Sequence, residues 1–419
     1  MNRQRHAVFY GWWVVGACSF IMLYTSGVIH FGFTAIFEPI ANEFGWSYAQ
    51  ISLAASLRGL EIGLLAPLAG LLVDRWGPRK LIFGGGAITG LGLILLSRVT
   101  SLSMFYGVFV LIAIGNTATG HAVMMAAVAN WFQKRVAIAT GIMASGAALG
   151  GLLVPLLVVL IDIFEWRVAM LILGLGTCLI CLPLSFLVRH KPEQYGYLPD
   201  GEEGGTVFVS QSLTSAQGVQ PGMSGREALK HRAFWHISIA LACQALVVSA
   251  VVTHVMPYLS SVGITRSVSS LIASALAVTS ILGRLSFGWI GDRLNKRRVA
   301  AVGFTLTSLG LLIFGYATTG ETWLLIPFLI LFGTGWGGNV TMRAALIREY
   351  FGRERFGTIH GFTLGIMTVG NITGAPLPGW VFDQWHSYEG AWFALAAFGA
   401  VAVFLIETIP RSTAQSNRQ

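Results

Sequence analysis

Three arginines interrupt long apolar runs: Arg58, Arg284 in ILGRLSFG and Arg343 in NVTMRAALI. A charge near mid-bilayer costs about 2.5–3.5 kcal/mol on insertion scales, so each needs a physical reason. Arg58 has Glu61 three residues on, on the same helical face. The two are expected to pair, either structurally or as part of a proton-linked gate. Arg284 and Arg343 have no such acid: Glu38 and Glu407 sit at helix ends. Cations without fixed partners are expected to line water that an anion can enter, and a guanidinium presents a planar fork that matches a carboxylate. Ser280 lies one turn from Arg284, and Arg343 belongs to the stripe Trp336, Asn339, Arg343, Ile347. Arg343 lies nearer the cytoplasm, where snorkelling to the helix end is the alternative to a substrate contact.

Imidazole titrates near physiological pH, which makes His30, His121, His254 and His360 the proton-carrier candidates. His254 shares a stripe with Gln244, Val247 and Val251, and Pro257 loosens the helix just beyond; it is the first choice over a merely packed histidine. His30 shares a face with Ser26 and Phe33 and is the second. Asn116 and His121 point to different sides of one helix, and Asn116, nearer the bilayer centre, is expected to offer a hydrogen bond in the cavity, as is Asn339. His360 lies close to a helix end and reads as gate or packing. No nucleophile–base pair, metal cluster or phosphate loop stands out, so neither an enzyme nor a cofactor is expected. Cys178 and Cys181 have CxxC spacing but lie in an apolar segment without polar partners, and read as buried small residues. GGGAITGLG lies inside an apolar span with no preceding strand, which makes it a packing motif.

The elements that must carry these residues are transmembrane helices. Of 419 residues, 54% are hydrophobic and only 11% charged, and the mean hydropathy is +0.69. A soluble domain carries about 25% charged residues, so little water-facing surface is possible here. Breaks at polar clusters, Gly and Pro give twelve helices, near 9–40, 48–73, 79–98, 103–131, 136–160, 167–189, 230–260, 267–291, 297–318, 322–350, 356–382 and 390–409. The first apolar pattern runs too far to be a removed signal peptide. A polar stretch containing DGEEGG and SQSLTSAQG separates two sets of six. The expected organisation is a six-helix bundle over 1–189, a cytoplasmic linker over 190–229 and a second bundle over 230–419.

Net charge +9 could suggest nucleic acid, but the positions of the basic residues argue otherwise. Only Arg98, Arg167 and Arg266 fall on one side of the alternating helices, and Arg58, Arg284 and Arg343 fall inside them. All other Lys and Arg lie in segments on the opposite side, which is therefore cytoplasmic, with both termini there. A multi-pass monomer in the cell (inner) membrane follows, with the lipid bilayer and no nucleic acid as partner.

The halves repeat. GLLVDRWGPRK (Gly70 to Lys80) follows the second helix, and GWIGDRLNKRR (Gly288 to Arg298) follows the eighth, at one constant offset. NWFQKRVAIATG and EYFGRERFGTIHG echo each other after helices four and ten. Such repeats imply a pair of bundles related by a two-fold axis. Asp74, Arg75 and Arg79 in the first loop, and Asp292 and Arg293 in the second, are gate candidates: their acids can pair with bases or cap helix ends, and such contacts break when the bundles rock.

Gly70, Leu72, Asp74, Arg75, Gly77, Arg79 and Lys80, with Pro78 inserted in the basic run, resemble the loop signature of the major facilitator superfamily. Gly11-Trp12-Trp13, Trp131-Phe132-Gln133-Lys134-Arg135 and the stretch from His190 to Gly201 are similar to its monocarboxylate transporter group and the bacterial oxalate/formate exchangers near it. The resemblance implies the major facilitator fold and alternating access. It also implies that Arg284, at the position of that group's helix 8 arginine, binds the substrate carboxylate. Three features depart from the group: Tyr10 replaces an acidic residue before the first glycine, no lysine lies between Gly27 and Ile40, and Ser280 stands for an aspartate. Gly146, Gly150 and Gly151 resemble the helix 5 antiporter signature, with Ala147 in place of its proline, which favours symport over exchange. The expected function is proton-coupled symport of a small monocarboxylate of the lactate or pyruvate type. An oxalate/formate-type carboxylate exchanger is the alternative, and a carboxylate-sensing transceptor the third.

Overall fold

Long apolar runs must close their backbone hydrogen bonds internally, and the described residues do so as helices. The computed structural model describes residues 9–60, 65–132, 135–190, 192–195, 225–317, 321–351 and 356–409, without the side chains at 58–60, 66, 67, 70, 74, 136, 137, 225, 226, 228, 292 and 356–358. Four expectations thus lie outside the described residues: the Arg58 side chain, Glu61, and the carboxylates of Asp74 and Asp292. Most of the 190–229 segment does so too.

Among the described residues the helical segments group into twelve, two of them in two pieces. They are α1 (Tyr10–Phe44), α2 (Tyr48–Leu60 and Ala66–Trp76), α3 (Pro78–Leu96), α4 (Leu102–Ala129), α5 (136–164) and α6 (166–187). Then follow α7 (Arg232–Ser261), α8 (Arg266–Arg293), α9 (Lys296–Gly315), α10 (Leu325–Phe351), α11 (Phe356–Gly374 and Pro376–Trp385) and α12 (Glu389–Glu407). The chain is a multi-pass membrane protein, as the apolar pattern requires. The sharp stops have local causes. Gly77 (φ 78) ends α2 in a conformation that disfavours other residues, and Pro78 opens α3 at a first-turn position where its missing N–H is no loss. That explains the proline inside the basic run. Between α5 and α6 the turn is made by Glu165, at φ 66.

Close packing divides the chain into two units. One comprises Met1–Val28, Leu64–Gly150 and Arg167–Gln217; the other comprises Ile29–Gly63, Gly151–Trp166 and Gly218–Gln419. The first has a core of Val14, Cys18, Ile21, Ile82, Met124, Trp131 and Met143. Its helices approach through glycine. A Cβ on Gly90 would lie 2.8 Å from the Gly174 carbonyl, and one on Gly86 would strike Cys181. The CxxC thiols are free and fill space against α3.

The second unit is built around Phe234, Leu241, Phe287, Phe304, Leu346 and Ile359. An aromatic stack of Tyr258, Phe314, Phe328 and Trp392 joins α7, α9, α10 and α12. Gly337 of α10 lies against the Ser280 carbonyl of α8, and Gly370 of α11 against the Ala242 carbonyl of α7. The small-residue spacing Gly361, Gly365, Gly370 on α11 therefore marks a close approach at its last member alone, because the first two have open space around them.

Gly337→Val should strain the α8–α10 contact by about 1–3 kcal/mol, lowering the melting midpoint of the purified protein in detergent. Gly361→Ala should leave it unchanged or raise it slightly, since alanine favours helix by about 1 kcal/mol.

Candidate functional site

α8 and α10 run in the same direction and are pressed together by glycines at Gly283 and Gly337. The Thr341 hydroxyl of α10 donates to the Arg284 carbonyl at 3.3 Å. The contacts of Ser280 with Gly337, Phe287 with Gly338 and Gly291 with Met342 set the register of the two helices and place Arg343 about one to two turns nearer the C-terminal ends than Arg284. Both side chains are half-buried, and the Nε atom of each is covered and lacks a hydrogen-bond partner. Arg343 Nη1 donates only a weak bond, to Met367 Sδ of α11 at 3.6 Å. Among the described residues neither guanidinium is ion-paired; the pairs found there are Arg266–Asp162, Lys296–Glu349 and Arg297–Glu407. Arg343 instead lies within electrostatic reach of Arg284, and His360 within reach of Arg343. The site is thus a cationic group on α8, α10 and α11 with an excess of donors.

The amides have different places. Asn339 is fully buried and faces α9 and α7. In the orientation that satisfies it, its oxygen accepts from Gln244 Nε2 at 2.9 Å, and its nitrogen donates to the Ala300 carbonyl at 3.2 Å. Its amide ties three helices together. Asn116 is half-buried on α4 in the first unit, and His121 is exposed just past the break at Gly120. Ser280 is buried and donates to the Ala277 carbonyl of its own helix. His30 is exposed in the π-helical turn Ser26–Phe31, its ring edge-on to Phe31 at 5.1 Å.

His254 is wholly buried. Its Nε2 meets the Ala375 carbonyl at 2.8 Å and Ser52 Oγ at 2.9 Å, and its Nδ1 meets the Tyr388 hydroxyl at 3.1 Å. Ser52 already donates to the Tyr48 carbonyl, so it accepts here. One tautomer satisfies every partner: Nε2–H donates to Ala375 and Ser52, and Nδ1 accepts from Tyr388.

Around His254 lies a seal that the sequence did not reveal, joining the 29–63 and 151–166 segments to α7, α8 and α11 inside the second unit. Asp383, in the last turn of α11, accepts from the Tyr48 and Ala49 amides, both at 2.8 Å. A carboxylate there opposes its own helix dipole, but it caps the N-terminus of α2 with two charge-assisted bonds. Ser56 donates to the Ile372 carbonyl at 2.6 Å, Ser274 to the Gly151 carbonyl at 2.8 Å, and Arg266 to the Ala35 carbonyl at 2.7 Å. At the other helix ends, the gate candidates Arg79 and Arg293 lie over the Phe186 and Trp289 rings, at 4.5 and 3.7 Å. Arg75 is exposed.

Comparison with known proteins places this geometry in a family. The profile of the Major Facilitator Superfamily matches residues 12–265 and 251–419. Monocarboxylate transporter 12-B of Danio rerio is 27% identical over 417 residues, 95% of this chain and 86% of its own length. Monocarboxylate transporter 13 of Rattus norvegicus is 25% identical over 411 residues, 96% of this chain and 89% of its own. Among solved structures, the nucleoside transporter NupG superposes with a TM-score of 0.74 at 14% identity, covering 96% of this chain and 98% of its own. A bacterial homolog of the human lysosomal transporter Spinster, inward-facing and occupied, also gives 0.74, at 16% identity over 97% and 98%.

Asp383→Asn keeps one acceptor but sets an amide NH2 against the other N–H of α2. Charge-assisted bonds contribute about 1.5–3 kcal/mol; the variant should lose roughly that in thermal or denaturant unfolding, and Asp383→Ala at least as much.

Proposed function

Since the chain belongs to the Major Facilitator Superfamily, a family of membrane transporters and not of enzymes, we propose that it carries a small carboxylate across the membrane with a proton, by alternating access. The observation that carries this reading is Arg284, half-buried in mid-helix and without an acid partner among the described residues. The relatives named monocarboxylate transporters support a monocarboxylate substrate, which we read as one of the lactate or pyruvate type. The end carrying the α2–α3 and α8–α9 loops is the cytoplasmic one, the termini lie there, and the membrane is the cell (inner) membrane. The rocking bodies are residues 1–189 and 230–419, joined by the 190–229 linker.

The carboxylate takes the guanidinium fork of Arg284, and Asn116 is a further hydrogen-bonding candidate for the substrate. A bound anion removes the cost of enclosing an unbalanced cation, so the loaded carrier closes more readily than the empty one. Asp74, Arg75, Arg79, Asp292 and Arg293 form and break the cytoplasmic gate, while the Asp383 seal does so at the opposite end. His254 links the proton to that seal. A proton on Nδ1 replaces an acceptor with a donor facing the Tyr388 hydroxyl, which itself donates, so protonation favours parting the contacts around Ser52 and Ala375. His30 and the Arg58–Glu61 pair are further proton-handling groups. Exchange of carboxylates of the oxalate/formate type is the second reading, favoured by the cation at Arg343; trans-stimulation without proton dependence would identify it.

Radiolabelled lactate uptake into proteoliposomes tests the reading. An inward proton gradient should accelerate uptake. Arg284→Ala should cut it by about 10- to 100-fold, the equivalent of one charge-assisted contact, with Arg284→Lys in between because it keeps charge but loses the fork. Full activity in Arg284→Ala would remove the anchor, and indifference to the gradient would remove the coupling.

A further inference from the structure

The anchor at Arg284 leaves a second cation unexplained. Arg343 sits on the adjacent helix, about one to two turns nearer the C-terminal ends and within electrostatic reach of Arg284, with its Nε buried and unpartnered among the described residues and a thioether as its acceptor. A structural arginine inside a bundle is normally held by a carboxylate or by backbone carbonyls, because each unsatisfied N–H has lost its water. Among the described residues Arg343 is held by neither. Of the described groups within its electrostatic reach, Arg284 repels it and His360 supplies no counter-charge. Snorkelling to the helix end would relieve this, yet the head group turns sideways to Met367 on α11.

We infer that Arg343 forms a second anion subsite, and that the preferred substrate is a small dicarboxylate spanning Arg284 and Arg343. The inference rests on the carboxylate-transport reading and extends it from one end of the substrate to both. A monocarboxylate on Arg284 neutralises one guanidinium and leaves the other facing a lower-dielectric, anion-filled site with no counter-charge. A dianion neutralises both and relieves their mutual repulsion, so its second carboxylate meets a donor set that is already desolvated and aimed. Met367 helps to fix where that second carboxylate goes, because it holds one edge of the Arg343 fork against α11. Met367 and Arg343 set specificity; Arg284 sets binding.

The test is a thermal-shift and uptake-competition panel on the purified full-length protein, pairing propionate with malonate and butyrate with succinate. Wild type should respond to the dicarboxylate of a pair at a concentration at least ~10-fold lower than to its monocarboxylate, the size of one added charge-assisted contact. Arg343→Gln should erase that preference while keeping its response to monocarboxylates. Arg343→Lys, which keeps charge without the fork, should show a reduced preference and covers the case in which the glutamine variant does not fold. Equal response to both members of each pair in wild type, or a preference that survives in Arg343→Gln, overturns the dicarboxylate inference and leaves the Arg284 anchor standing. Absence of any response to either class overturns both.

Discussion

A guanidinium inside a helical bundle has to be balanced by something, and among the described residues no carboxylate pairs with Arg284 or Arg343. The glycines at Gly283 and Gly337 bring α8 and α10 close together, the two cations lie within electrostatic reach of each other, and three described acids are engaged elsewhere. Asp162 faces Arg266, Glu349 faces Lys296 and Glu407 faces Arg297, all near helix ends. The distribution of acids is thus as informative as that of the bases. A protein using these arginines only to hold its helices would place a carboxylate beside them, since an unpaired buried charge costs several kcal/mol.

Asp383 shows the opposite arrangement. It is a lone carboxylate at the wrong end of its own helix, and it is balanced by the N-terminus of another. Together with Ser52, Ser56, Ser274 and His254, it joins segments of α1, α2 and α5 to α7, α8 and α11. Nearly all of these bonds use backbone groups or hydroxyls as partners, so they hold position without demanding particular side chains opposite.

Much of this was legible in the sequence, for identifiable reasons. Helix limits followed from apolar runs and their breaks, and the observed ends fall within a few residues of those expected. The Gly77–Pro78 junction was a stop and start that local chemistry alone dictates. Arg284 and Arg343 stood out because a charge in an apolar run is conspicuous wherever it points. What was not legible depends on partners far along the chain. Asp383 meets an amide 335 positions away, and nothing near it in sequence announces that bond. Asn339 looked like a cavity amide by its stripe, but α9 and Gln244 of α7 claim it. Gly361 and Gly365 have the spacing of a packed face, yet spacing alone cannot separate a face against a helix from one against open space.

These two arrangements have energies of comparable size, which is what a carrier requires. Each neutral hydrogen bond of the seal contributes about 0.5–1.5 kcal/mol net of water, and the two at Asp383 somewhat more, so parting the whole set costs several kcal/mol. Shifting a two-state equilibrium from about 1:99 to 99:1 takes about 5.5 kcal/mol of differential affinity. An anion that neutralises a half-buried guanidinium in one state and leaves it exposed to repulsion in the other supplies free energy on that scale. A seal made of buried ion pairs would be too strong for such a ligand to shift, and one made of apolar contacts alone would fix no register. A neutral histidine, a few hydroxyls and one capping carboxylate lie between those limits, and the unbalanced cations on α8 and α10 provide the matching load.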